Sequence, residues 1–266
     1  MARAAGRAKL NRKEGLLMMV EQIYRRKSVR KFKDVPIPRE AAQALITWRE
    51  WVHPLRDRLT IDNHIRRLPG DAHIKGLFVA NAPAYMLYTS QQAPLARVNA
   101  GFILEQISLG LYMYEVGSCY QGGARFAPEH LRALRFDPMM IMAYGVPAEP
   151  LTRELSAFKR RNIEQICQSD LTPDMRRIID AARLAPSAMN RQPWRFVVRG
   201  NDVHCYVAHS AISHVRALSE IDLGIALSHM YLVVTEGGGK TAFTHRAPGI
   251  ELAPRGADYI ITMSIN

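Results

Sequence analysis

Cysteine is scarce in this chain. The three present, Cys119, Cys167 and Cys205, include no pair in a C-x-x-C arrangement. An odd number without paired spacing excludes a disulfide framework and a structural zinc site as the basis of the fold. His204, His209, His214 and His229 gather loosely in the last third, but their spacing fits no metal-ligand motif, and no metal is expected. Long apolar runs are missing too: stretches such as Met139–Ala143 fall far short of the ~18 residues a membrane helix needs. The opening MARAAGRAKLNRKEG lacks the apolar core of a secretory signal, although a transit peptide, Arg-rich as well, stays open. Residues 1–19 read as a basic, disordered tail, or as translation set too far upstream of Met18 or Met19. The expected setting is cytoplasmic and reducing, with no membrane partner.

What is present is ordinary globular material, 266 residues at 48% hydrophobic content, enough for one large domain or two small ones. The excess of positive charge is its distinctive feature: the formal net charge is +12. Arg3, Arg7, Lys9, Arg12 and Lys13 account for five of these charges, which leaves +7 on the remainder. The other bases fall in discrete clusters, Arg25–Lys27, Arg30–Lys33 and Lys159–Arg161. That distribution suits isolated phosphate-binding spots better than a continuous nucleic-acid track, and no nucleic-acid motif accompanies it.

The chain shows a weak internal repeat. Asn99–Leu109 and Asp222–Leu232 align without a gap, so that Gly101 falls on Gly224 at an offset of 123. Both read as largely apolar, and hence buried, helices. Pro38–Ile46 similarly resembles Thr172–Asp180, each a helix start with an acid in its first turn. Strands are expected at Ala84–Tyr88, Arg195–Val198 and Val203–Val207. The spacing predicts two related helix-and-strand halves, 20–165 and 166–266, joined near Lys159–Gln168.

Each half carries one special segment that the other lacks. The first holds Arg26-Lys-Ser-Val-Arg-Lys-Phe32; the second holds Pro186-Ser-Ala-Met-Asn-Arg-Gln-Pro-Trp194, where two prolines stiffen a backbone presenting a hydroxyl and two amides. The counterpart of the second segment falls near Val52–Thr60 and lacks the amides and the indole.

Together these two segments resemble the signatures of the nitroreductase family of FMN-dependent oxidoreductases, over nearly all of the chain from about Ile23 onward. The resemblance implies an α+β, nitroreductase-like fold from the branch in which two subunits are fused and one of two flavin sites is lost. It also implies a site with the first segment facing the second. Arg26 and Ser28, with Lys27 between them where arginine is common, match phosphate and ribityl contacts. Arg30 matches a cation near N1 and the C2 carbonyl, where positive charge favours the reduced flavin. Lys159 and Arg161 match a second basic pair for the phosphate, a dianion suited to guanidinium groups. Pro186, Ser187 and Asn190 match the opposite wall, and Gln192 either contacts the flavin or braces the loop.

Gly117–Gly123 matches a loop whose backbone N–H approaches N5, with Gln121, Gly122 and Gly123 as the candidate contacts and glycine permitting close approach. Glu236–Gly239 is its equivalent at the lost site. Trp48, Trp51, His53 and Pro54 either line the substrate face or fill the lost site. No general acid is identified.

The expected activity is transfer of electrons from NADH or NADPH to a small nitroaromatic or quinone-like acceptor. The alternatives are a related flavin task such as reductive dehalogenation, or flavin binding without efficient turnover. With both walls in one chain, the expected state is a monomer, while a weak dimer through another face stays open.

Overall fold

The computed structural model of the chain describes residues 12–55, 63–69, 74–76, 78–125, 134–245, 248–249 and 254–266. The described helices are α1 (Arg12–Ile23), α2 (Arg39–Ile46), α3 (Trp48–Trp51), α4 (Ala96–Tyr112), α5 (Ile163–Ile166), α6 (Pro173–Arg183) and α7 (Ser213–Glu236). The strands are β1 (Asn63–Pro69), β2 (Lys75–Gly76), β3 (Ala84–Ser90), β4 (Gly117–Tyr120), β5 (Ala124–Arg125), β6 (Pro138–Gly145), β7 (Trp194–Arg199), β8 (Asp202–Ala208), β9 (Thr241–Thr244) and β10 (Ala257–Ile265). Two four-stranded antiparallel sheets, ordered β1-β3-β6-β4 and β7-β8-β10-β9, accompany the helices, and β2 and β5 pair separately.

The two long helices, α4, buried almost throughout, and α7, buried mainly from Ser219 to Val234, pack against the sheets and are largely apolar. They make the most extensive helix–helix contact of the fold. Glycine permits it. A Cβ on Gly101 would stand 2.0 Å from the Ile221 carbonyl oxygen, and one on Gly224 would stand 1.9 Å from that of Val98. The contact is reciprocal: Val98 to Ile221 is the same 123-residue step as Gly101 to Gly224. Both helices run beyond their expected bounds. Helix α7 is 24 residues long and holds an 18-residue window of mean hydropathy 1.4, the length and composition of a membrane span that inspection for apolar runs did not anticipate; 78% of that window is buried inside the fold.

The first sheet is covered on both faces. Met86, Tyr88, Met140 and Met142 join the main core. Tyr85, Leu87, Ile141 and Ala143 turn the other way, onto a smaller core with Ala80 and Ala82. This strict alternation along two apolar strands is the pleat at work. The short apolar run Met139–Ala143 lies in strand β6, which was not among the expected strands. In the second half, Thr172 caps α6 by accepting the Met175 N–H at 3.3 Å, as its sequence suggested.

The reading of residues 1–19 as a disordered tail needs correction from Arg12 onward. Helix α1 begins there, and Met19, Val20 and Ile23 pack into the main core. The polar, basic start of this helix concealed an apolar second half. Residues 1–11 lie outside the described residues.

Because backbone oxygen, not a pliable side chain, opposes each glycine, Gly101→Ala and Gly224→Ala should each cost about 3 kcal/mol, the cost of an overpacked core. Denaturant melts check this; wild-type stability in both variants would contradict the crossing.

Candidate functional site

The first special segment is held by its neighbours on both sides. Val29 donates its N–H to the Ser118 carbonyl at 3.0 Å, and its side chain fills the space a Cβ on Gly117 would need. Arg26 bridges to Thr152, while Lys33 and Ala148 bond across to Val146 and Lys31. Glu149 clamps the middle: Oε1 accepts the N–H groups of Arg30 (2.6 Å) and Lys31 (3.1 Å), and Oε2 pairs with Lys27 at 3.1 Å. These bonds hold the Glu149 carboxyl below its ordinary range against the opposing effect of desolvation. Ser28 is half-buried, and Arg30 is exposed, its Nη1 3.4 Å from the Ser28 carbonyl.

Arg26 does not face outward. At 1% exposure its guanidinium lies 3.8 Å from Glu105 of α4 and 5.6 Å from the Tyr112 ring centroid. Glu105 also receives the Tyr120 hydroxyl at 2.7 Å and lies 3.0 Å from His229 Nε2 on α7. The other ring nitrogen of His229 faces the Ala181 carbonyl at 2.9 Å and so carries a hydrogen. Burial alone would raise the Glu105 carboxyl; Arg26, His229 and Tyr120 together outweigh it and hold the group below the ordinary carboxylate range.

Two further arginines crowd Arg26. Arg153 stacks on Phe158 with its guanidinium carbon 3.8 Å from the ring centroid. Arg160 Nη1 donates to Asn190 Oδ1 at 2.8 Å, and its Nη2 to the Leu184 carbonyl at 3.1 Å. Burial, then repulsion from Arg26, lowers Arg153; burial, then Arg153 and Arg26, pushes Arg160 down to about 9. Arg26 Nε and Nη2 and Arg153 Nε are buried and make no hydrogen bond among the described residues. This is a cluster short of negative charge, with donors to spare. It can hold an anion.

The second segment, 186–192, comes to the same place. Met189, Asn190 and Gln192 have φ of +51°, +55° and +52°, a left-handed geometry that costs non-glycine residues about 1 kcal/mol or more apiece. Ser187 Oγ accepts the Gln192 N–H at 2.9 Å, and Asn190 Nδ2 donates to the Lys159 carbonyl at 2.9 Å. Gln192 Oε1 accepts the Arg161 N–H at 2.7 Å and its Nε2 donates to Asn190, which makes it a brace of the loop. Pro186 is buried behind this turn. Asp222 of α7 sits beneath it, both carboxyl oxygens 3.0 and 3.1 Å from the Ala188 N–H.

Several expectations are revised. Lys159 and Arg161 have exposed side chains; the residue between them, Arg160, turns inward. Its signal was in the repeat. Pro38 and Thr172 are 134 apart, and so are Arg26 and Arg160. Gly117–Tyr120 is strand β4, not a loop. Gln121 is buried and spent on structure, its Oε1 accepting from Ala80 (2.8 Å), its Nε2 donating to Cys119 (3.0 Å) and its N–H donating to Ile141 (2.8 Å). Gly122 and Gly123 follow in the turn, where a Cβ on Gly122 would stand 2.9 Å from Leu218 of α7. Trp51 Nε1 donates to the Ala44 carbonyl, and the indole packs over Gly110. His53 is gripped by Gln106 through both its N–H and its carbonyl, with its ring 5.7 Å from Tyr231. Both Trp51 and His53 are half-buried. Beyond Leu55, the Val52–Thr60 comparison lies outside the described residues. A cleft of about 340 Å³ between Ser90–Gln92 and Leu134–Pro138 is lined by none of the candidate residues.

A family model described as "Putative TM nitroreductase" matches residues 18–234. The chain belongs to this nitroreductase family. A solved "putative nitroreductase" from Thermotoga maritima is 22% identical, covers 100% of this chain and 97% of its own, and superposes with a TM-score of 0.62. That likeness establishes an α+β nitroreductase fold. An NADH dehydrogenase/NAD(P)H nitroreductase, so described as putative, from Parabacteroides distasonis is 19% identical at a TM-score of 0.44, covering 56% of this chain and 95% of its own. An FMN-dependent nitroreductase from Clostridium difficile is 16% identical at 0.41, covering 55% and 97%. No curated protein matches.

The nitroreductase chain has set a cation in its core, and Glu105 is the carboxylate facing it. Glu105→Leu should therefore destabilise the fold by about 3 kcal/mol, since the Arg26 charge would remain buried without its partner. The double variant Arg26→Met/Glu105→Leu should recover most of the loss. A double variant no more stable than Glu105→Leu alone would argue against the pairing.

Proposed function

We propose that this member of the nitroreductase family is an FMN-dependent oxidoreductase that uses NADH or NADPH to reduce nitroaromatic or quinone-like acceptors. The carrying observation is the arginine cluster: three guanidinium groups, with buried donors of Arg26 and Arg153 that make no hydrogen bond among the described residues, beside a loop presenting Ser187 and Asn190. A phosphate monoester matches such a cluster in charge and in donor geometry. In this reading Arg160 and Arg153 hold the phosphate, Arg26 adds charge from behind, and the Ser28 hydroxyl completes the grip. Lys159 and Arg161 form an exposed basic rim. Bound flavin supplies hydride acceptance from the nicotinamide and electron delivery to the acceptor.

The protein's own residues orient and tune. Asn190 fixes Arg160 by accepting one N–H and is itself fixed through the Lys159 carbonyl, so the second wall is tied to the 159–161 backbone. Arg30 offers an exposed cation where negative charge develops on a ring edge, while Glu149 sets the backbone that carries it. Pro186 and Gln192 keep the second wall rigid. No side chain is assigned as a general acid. The three buried, free cysteines fit a reducing compartment such as the cytoplasm.

FMN should co-purify at close to one per chain, with bands that bleach on addition of NADH or NADPH. Absence of flavin, and of binding on reconstitution, would rule the reading out; binding without bleaching would favour a flavin carrier. Arg160→Ala should raise the FMN Kd by at least about tenfold, the low end for a lost charge-assisted contact.

Because both walls belong to one chain, flavin binding should not need a second copy. Co-expressing Arg30→Ala and Asn190→Ala chains should leave FMN content as low as in either alone. Recovery to about a quarter of wild type, one intact site in each mixed dimer, would mean that the walls are shared between chains.

A further inference from the structure

Asp222 is a buried carboxylate to which the flavin reading gives no role. It lies two residues before the glycine crossing on α7, 5% exposed, and both its oxygens meet the Ala188 N–H. Ala188 opens the turn in which Met189, Asn190 and Gln192 are all left-handed. Three non-glycine residues in that region within four positions persist only where the surroundings over-determine them. The bonds of Ser187, Asn190 and Gln192 tie the loop to itself and to the 159–161 backbone. Asp222 ties it to the central helix.

We propose that Asp222 is a positioning residue, whose acceptance of the Ala188 N–H fixes the 187–192 loop and, through Asn190, the inward Arg160. Its consequence for cofactor binding rests on the flavin reading; the contact and its hold on the loop do not.

The first half offers an internal comparison. Asn99 is the 123-residue counterpart of Asp222, and its Oδ1 accepts the Leu55 N–H at 2.9 Å. Leu55 stands in the segment matched to the second special segment. One position on each central helix thus pins one loop, and a neutral amide suffices. The charged and titratable groups facing Asp222 are Arg191 from the loop and Tyr120 from β4. Burial dominates over the Ala188 bond and Arg191, and pushes the carboxyl up to about 8. A folded value above the ordinary 3.8 means that this stabilisation is complete below that ordinary value and is lost as pH rises through about 8. An ionised Asp222 regains hydration when the loop lifts away.

The test is backbone amide exchange across residues 185–192 in the flavin-free chain, expressed as protection at pH 6 and pH 9, for wild type, Asp222→Asn and Asp222→Ala. Wild type should lose about tenfold protection between the two pH values, and Asp222→Asn should keep it. Asp222→Ala should be about tenfold less protected at both, with α4 and α7 amides unchanged. Equal pH profiles for wild type and Asp222→Asn, or full protection in Asp222→Ala, would overturn the proposal. If Asp222→Ala does not fold, Asp222→Leu, which keeps the buried volume and removes the acceptor, takes its place in the comparison at both pH values. FMN titration supplies the second arm: affinity should follow loop protection across the variants. A chain that binds no FMN yet shows the exchange pattern loses the flavin reading and keeps the positioning role.

Discussion

The close crossing of α4 and α7 governs the placement of everything else. Two helices touching at glycine lose the spacing that side chains normally impose, and their backbones approach until carbonyl oxygen meets Cα. At that distance, groups one turn beyond the contact reach across. Glu105 meets His229 from the opposite helix, and His229 in turn reaches α6 through Ala181. In the other direction from the contact, Asn99 and Asp222 reach out to one loop each. The crossing converts two separate helix-and-sheet packings into one core with a shared polar centre.

That polar centre is expensive. Buried ion pairs seldom repay the water they give up, and here the positive charges outnumber the carboxylate that faces them. An apolar core of the same volume would be at least as stable. Regions where local rules are broken without local gain are where function is sought, and the left-handed turn at 189–192 adjoins the same cluster. Strain and excess charge coincide at the meeting of the two special segments.

Much of this was legible in the sequence, for identifiable reasons. The helices declared themselves by apolar runs too long for strands, and the repeat by two glycines at equal offset. Segments 26–32 and 186–194 were conspicuous because proline, amide and guanidinium side by side suit no regular element. The direction of side chains was less legible. Arg26 reads as a surface cation until Glu105 is noticed as a lone acid in an otherwise apolar helix, and only tertiary contact pairs the two. Among Lys159, Arg160 and Arg161, alternation along an extended strap sends the middle one inward, a parity that composition does not carry. Helix α1 was missed because its polar first turns hid the residues that anchor it.

The step of 123 residues also takes Glu105 to Ser228, whose hydroxyl is buried and makes no hydrogen bond among the described residues. Across the crossing, then, one helix carries a charge and its mate carries a small neutral group. Two identical chains related by a twofold axis must accept every substitution twice, and a carboxylate introduced at such an axis faces its own image. A single chain holding both helices is free of that obligation. It can place an acid on one side and leave the other nearly blank, as Glu105 and Ser228 show. The two helices match in the backbone at Gly101 and Gly224, where close contact demands it, and differ in the side chains at Glu105 and Ser228, where it does not.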